Sequence, residues 1–386
     1  MDFELPEELK MVQSLARAFV KDQLRPMERT LLGRSANLSD AQIWLPAEIE
    51  VKLIELARKA GLWGIGVPEE YGGAGLNVLG NCVVEEQLAQ TVVPFDFGNV
   101  SPFLFDGNVQ QREKYLRPVL NRSKRAYVAL AEPEKSPSLL DFSTKAEKAN
   151  GYYILQGRKV SFSRLAEDYF AIVFASTKDR VTCFLVDKDT PGFIVKGGEE
   201  KSGWQSQTRQ SLVLEFDDCK VPLENVLGEE GKAFSLGKYW LPNRRIIRGS
   251  QCTGIAQRLL DEATIHVQSW ESFGLSISKW PGIQACLTDI AMDLHACRLM
   301  VFQAACKADK GELVRDEASM IKLFSTQMIN NVVDNMAHIY NGPAYVKGLP
   351  VDKLCRNALM TNMSDLSLEL QRSIIAKNIL KGLQIS

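Results

Sequence analysis

Val221-Pro222-Leu223-Glu224-Asn225-Val226-Leu227-Gly228-Glu229-Glu230-Gly231 is the stretch on which the reading of the fold turns. On its amino-terminal side the chain is written in short β-branched and aromatic runs: Tyr152 to Leu155, Tyr169 to Ala175, Val181 to Val186, Phe193 to Val195 and Leu212 to Phe216. Turn residues such as Asn150-Gly151 and Pro191-Gly192 separate them, which is the pattern of successive strands. On its carboxyl side apolar residues recur every three or four positions. Leu287, Ile290, Leu294, Cys297, Val301, Ala304 and Ala305 form one stripe; Ile321, Phe324, Met328, Val332 and Ile339 form another. That is the period of helices burying one face.

Further upstream the helical period is present again, in Met11, Leu15, Ala18 and Phe19 and in Leu53, Leu56, Ala57 and Ala60. Leu38-Ser39-Asp40 and the run Val67 to Gly75 break it with cap and turn chemistry. The cluster Gly72-Gly73-Ala74-Gly75 reads as a glycine loop ending a helix. The period therefore changes twice, and the expected fold class is α+β, mostly α. A helical N-terminal domain is expected over 1–123 and a central antiparallel β domain, sandwich or barrel, over 124–232. A C-terminal four-helix-type bundle is expected over 233–386.

Composition excludes several classes of function. The 386 residues carry 46 basic against 47 acidic side chains, a net charge of -1, so there is no basic field for a nucleic acid. No apolar run is long enough for a membrane span, and the acidic start Met1 to Glu8 does not read as a signal or transit peptide, so a cytoplasmic address is expected. The eight cysteines contain no C-x-x-C pair and read as reduced, mostly buried thiols. Three histidines, none at ligand spacing, give no metal site. No P-loop, no G-x-G-x-x-G after a strand and no G-x-S-x-G elbow occurs. Two charged features remain. Arg244, Arg245 and Arg248 follow Pro242 on adjacent helical turns, either to meet an anionic ligand or as a solvated face. Asp365 precedes the helical stretch Leu366 to Leu380, where a helix cap is its simplest use.

The helical, β, helical order and a series of local strings together resemble the acyl-CoA dehydrogenase family over nearly the whole chain. Val67 to Gly75 resembles the PEEYGG loop and Ala131-Glu132-Pro133 the TEP turn. Val221 to Gly231 resembles the VPxENxLGxEG link, the most specific of these, and Gly254-Ile255-Ala256 with Leu260-Asp261-Glu262-Ala263 fits the helix after it. Arg356-Asn357-Ala358 and Glu369-Leu370-Gln371-Arg372 match the RDA and EIQR strings at the family's spacing. The resemblance implies FAD-dependent α,β-dehydrogenation of an acyl-CoA thioester, in which a carboxylate takes the α proton while a hydride leaves the β carbon. Counted from the flanking strings, the catalytic glutamate of the family's YEGT segment falls on Asp365; nitroalkane oxidases of the same superfamily are similar in using aspartate. Arg244 occupies the other position known for the base and cannot serve. Arg245 falls on the arginine that contacts acyl-CoA. Leu130, Ala131, Ser163, Phe273, His338, Gly342, Ser367 and Glu369 fall on cofactor positions. Implied partners are an acyl-CoA substrate, an electron-transfer flavoprotein or similar acceptor, and further subunits of a homo- or hetero-tetramer.

The chain departs from the family around FAD. Lys135-Ser136-Pro137-Ser138 replaces AGSD, Ser161-Phe162-Ser163-Arg164 replaces WITN, and Trp270 replaces the arginine preceding Phe273-Gly274. His338-Ile339-Tyr340-Asn341-Gly342 stands for QxxGG. Two classes stay open: a flavoenzyme with an adapted site, and a flavin-poor, non-catalytic subunit that assembles with a competent paralogue. A third reading is a protein of this fold that binds CoA esters without redox chemistry.

Overall fold

A computed structural model describes residues 4–37, 45–133, 142–163, 166–178, 180–197, 210–237, 240–342, 346, 348–361 and 367–382. The chain forms two compact units, one of Met1–Phe97 with Leu241–Ser386 and one of Gly98–Trp240.

The first unit is helical. α1 (Glu7–Phe19), α2 (Arg25–Asn37), α3 (Ala47–Lys59) and α4 (Val78–Leu88) come from its first segment. α5 (Trp240–Ser269), α6 (Pro281–Asp309), α7 (Arg315–Tyr340), α8 (Pro350–Met360) and α9 (Leu368–Leu380) follow in the second. The stripe expected on α6 is the buried one: Ile290, Leu294, Cys297, Val301, Ala304 and Ala305 all sit in the core, and so do Ile321, Met328, Val332 and Ile339 of α7. On α1 the expected stripe is displaced. Of the expected residues Phe19 is buried, whereas Met11, Leu15 and Ala18 are exposed and Ala16 and Val20 are buried in their place. The face that closes on the core is the one whose apolar run continues into Val20 and Leu24 through a π-helical turn at Val20–Leu24.

Two glycines of α5 set its packing distance. A Cβ on Gly254 would lie 2.2 Å from the Glu86 carbonyl oxygen of α4, and one on Gly249 would lie 2.4 Å from Ile321 Cγ2 of α7. The Gly254-Ile255-Ala256 string is thus a helix crossing made possible by a missing side chain. Gly254→Ala is expected to cost about 1–3 kcal/mol by overpacking; a urea midpoint equal to wild type would show that α4 can retreat. At the far end of α4, Asp309 caps the helix from α6, accepting from the Val78 and Leu79 amides at 2.7 and 3.1 Å.

The second unit is built on one sheet, β6 (Phe193–Gly197), β7 (Gln210–Pro222), β3 (Tyr152–Ser163), β2 (Lys145–Ala149), β4 (Tyr169–Thr177), β5 (Arg180–Asp187) and β8 (Val226–Leu227) in that order, with β1 (Arg125–Ala129) also pairing β4. Most pairs are antiparallel; β1 runs parallel to β4, from Arg125 opposite Tyr169 to Ala129 opposite Val173. The β3–β7 ladder shifts register between Leu155 and Gly157. Gly157, at φ 140°, brings the strand against Thr144, whose Cα would lie 2.7 Å from an added Cβ. Inward residues Tyr127, Tyr153, Val173, Phe184, Leu214 and Phe216 fill the core of this unit.

The glycine loop at Gly72–Gly75 closes a 3-10 turn, Glu69–Tyr71. A Cβ on Gly73 would meet the Val67 carbonyl at 2.1 Å, so this glycine serves its own turn. All eight cysteines are free thiols, five of them buried. Among the described residues no helix is long and apolar enough to cross a membrane.

Candidate functional site

In the second unit, the chain leaves β1 at Ala129 and runs through Leu130, Ala131 and Glu132 across β3, touching it by one bridge in which the Val160 amide donates to the Ala131 carbonyl at 2.8 Å. Beside that bridge lies a buried ion pair. Lys159 Nζ is 3.0 Å from Glu132 Oε1, with the two side chains 0% and 5% exposed. The same ammonium donates to the Leu130 carbonyl at 3.1 Å and lies 3.6 Å from the centre of the Phe142 ring. The carboxylate accepts from the Ser143 and Thr144 amides, each at 2.8 Å. Further along the same inward face of β3 come Ser161 and Ser163, both buried. Leu130, Ala131 and Ser163, all expected to face a cofactor, thus share one ledge.

Burial works against both charges of the pair. For Glu132 the two backbone amides and Lys159 outweigh it and hold the carboxyl down to about 2. For Lys159 burial prevails over the pull of Glu132 and lowers the ammonium from its usual value. Because the Glu132 value in the folded chain lies below its ordinary 4.5, its contribution to stability is complete above about pH 4.5. That contribution is lost as pH falls toward 2. A carboxyl titration by NMR is expected to place Glu132 far below 4.5; a midpoint at or above that value would contradict the pairing.

In the first unit, Arg245 is buried in α5 at 5% exposure, which removes the solvated-face reading for this arginine. Arg244 and Arg248 are half-buried, and Arg248 donates to Gln251, which in turn donates to Glu85 of α4. Lys322 of α7 donates to the Thr361 carbonyl at 2.6 Å, fixing the chain where α8 ends. Asp365 lies outside the described residues, as do Leu38-Ser39-Asp40, Lys135 to Ser138 and Arg164. The cap of α9 is Ser367, whose hydroxyl accepts from the Leu370 amide at 3.3 Å. The helix after Asp365 therefore begins two residues later than expected and is closed by another side chain. Glu369, also on α9, faces Arg372 at 3.8 Å.

The remaining expected residues lie around the turn between α5 and α6. Phe273 is at the tip of a two-stranded hairpin, β9 (Glu271–Ser272) with β10 (Leu275–Ser276), 93% exposed and at φ 52°. Trp270, 51% exposed, stacks on His266 at 5.3 Å, and His266 stacks on Tyr340 at 4.0 Å. Two of the sequence departures, at Trp270 and in the His338–Gly342 string, are thereby brought together on one imidazole. Burial lowers the His266 pKa and so disfavours a charge on this stack. His338 and Gly342 are exposed at the end of α7, with His338 3.7 Å from Asp334.

In the second unit, the Leu130–Ala131 segment and the buried Ser163 lie along the strand that carries an ion pair of zero net charge. In the first unit, the hairpin presents the aromatic faces of Trp270 and Phe273 at its surface. Lys159 was not among the residues singled out from sequence, although its parity with Tyr153 and Leu155 on β3 places it inward.

Comparisons with known proteins cover the whole chain. The family models described as acyl-CoA dehydrogenase N-terminal, middle and C-terminal domains match residues 6–123, 128–219 and 234–380. The short-chain specific acyl-CoA dehydrogenase of Mus musculus is 31% identical over 392 residues, covering 98% of this chain and 92% of the relative. The (R)-benzylsuccinyl-CoA dehydrogenase of Thauera aromatica is 29% identical, covering 98% and 97%. Among solved structures, butyryl-CoA dehydrogenase from Megasphaera elsdenii superposes with a TM-score of 0.83 at 26% identity, covering 98% of this chain and 100% of that one.

Proposed function

The chain belongs to the acyl-CoA dehydrogenase family, and on that premise we propose that it is a FAD-dependent enzyme that desaturates an acyl-CoA thioester between its α and β carbons. The observation that supports this reading is that Leu130, Ala131 and Ser163, which the family resemblance assigns to the flavin, are held on or against one strand beside an ion pair of zero net charge. FAD bound there would accept the hydride from the β carbon. Phe273, His338, Gly342, Ser367 and Glu369 are the further residues assigned to it.

The protein's own part is to position the thioester and take a proton. Asp365 is the base for the α proton; its side chain is one methylene shorter than the glutamate of the family, so the substrate must sit correspondingly closer. Arg244 carries a guanidinium, a donor-only group with no lone pair to offer in that role. Arg245 is the substrate-binding arginine, held in the core of α5, where its geometry is fixed before the ligand arrives. Electrons leave to an electron-transfer flavoprotein or similar acceptor, and the protein works as a cytoplasmic dimer or tetramer. Dye-linked assays over a series of acyl-CoA thioesters are expected to find turnover with at least one chain length; none with any thioester, in protein loaded with FAD, would overturn the assignment.

A second reading is favoured by one observation, the aromatic Trp270–His266–Tyr340 stack at the turn where the family resemblance calls for an arginine. It makes the chain a flavin-poor subunit beside a competent paralogue. Co-purification with such a paralogue, with flavin only in the partner, would select it.

A further inference from the structure

We propose that Lys159 is a positioning residue for the cofactor end of the site: roofed by Phe142 and paired with Glu132, its ammonium pins the Leu130 carbonyl and so sets the Leu130–Ala131 ledge at a fixed height over β3. The inference deepens the proposed function and rests on it for the identity of what the ledge carries.

A buried ion pair is a poor device for stability alone, because taking both charges out of water cancels most of what they gain, and apolar residues of similar volume do as well or better. What this pair does is geometric. Residues 130–132 have left β1, and their contact with β3 is the isolated bridge from Val160 to Ala131. Lys159 adds a second tie on one side of that bridge, to Leu130, and Glu132 adds a third on the other, to the Ser143 and Thr144 amides. Thr144 is itself tied to β3 through its hydroxyl, which donates to the Arg158 carbonyl at 3.2 Å. Phe142 closes the ammonium from water. The clamp and the Ser163 hydroxyl belong to one strand, four residues or about 13 Å apart. The backbone groups and the hydroxyl therefore share one rigid frame.

The test is the double variant Lys159→Met with Glu132→Leu, which removes both charges and orphans neither. In the wild-type holoenzyme, FAD release on dilution is followed by the fluorescence of the freed flavin, and amide exchange of Val160 reports the bridge. The double variant is expected to keep the circular dichroism of wild type, to release FAD at least tenfold faster and to exchange the Val160 amide faster. Release at the wild-type rate from a yellow variant overturns the proposal, and so does an unchanged Val160 amide. A wild-type protein that never takes up FAD overturns the proposed function and this inference with it, and is told apart by its lack of colour before any substitution is made. If the double variant does not fold, Lys159→Gln with Glu132→Gln, which keeps hydrogen-bonding groups in place, is read by the same two measurements. Lys159→Arg, which keeps the positive charge and a donor for the Leu130 carbonyl in a bulkier head, is expected to release FAD more slowly than the double variant.

Discussion

Asp365→Asn is expected to lower dye-linked turnover of acyl-CoA by about 10²–10⁴-fold while leaving FAD content and fold intact. The substitution keeps the size and hydrogen-bonding shape of the side chain and removes its affinity for a proton. The effect is large because the proposed function assigns no other group to the α proton: the alternative position is the guanidinium of Arg244, and Arg245 is assigned there to the substrate. Binding of a substrate analogue should change little, so the loss appears in kcat more than in KM. Full turnover in the asparagine variant would remove Asp365 from catalysis and return it to a structural part in the approach to α9, whose N-cap is Ser367.

Arg258→Met is expected to be the most destabilising single change in the helical unit, by about 3–5 kcal/mol. Arg258 is buried in α5 and pairs with Glu28 of α2 at 3.1 Å and with Glu262 at 2.7 Å, while donating to the Gln90 carbonyl at 3.1 Å. Glu28 is equally buried and accepts from the Thr91 hydroxyl and the Val92 amide at 2.7 and 3.1 Å. Removal of the guanidinium leaves the Glu28 carboxylate in the core without its ion-pair partner and with Arg25 as the remaining cation that acts on it, and most of the cost is that of a buried charge that has lost its pair. Equilibrium urea unfolding measures it. A loss below about 1 kcal/mol would mean that water reaches Glu28, since only a solvated pair is worth so little.

The joint at Val221–Gly231 was legible because both neighbours of the joint obey simple periods. The five runs read as strands are the cores of β3 to β7. β1 and β2 were not, and for a physical reason. Lys145-Ala146-Glu147-Lys148-Ala149 has no β-branched residue and becomes a strand by pairing with β3 across the Asn150-Gly151 turn, so the turn was legible and the strand before it was not. On α1 two faces compete, and the sequence alone does not say which one meets α4; Met11 and Leu15 lie on the losing face. The candidate site residues that the sequence could name are those that belong to strings: Arg245, and the pair Leu130–Ala131 before Glu132-Pro133. Pairings across the fold were not legible. Lys159 has the inward parity of β3, but no local string says that Glu132 and Phe142 meet it, and His266 joins Trp270 to Tyr340 only because α5 and α7 lie side by side.

The measurement that bears most directly on the proposed chemistry is the visible spectrum of the purified protein, recorded without oxygen before and after addition of an acyl-CoA series. A flavin spectrum that bleaches on addition of at least one saturated acyl-CoA is the expected result. A protein that stays colourless after incubation with FAD, or a flavin spectrum that no acyl-CoA bleaches, would contradict it.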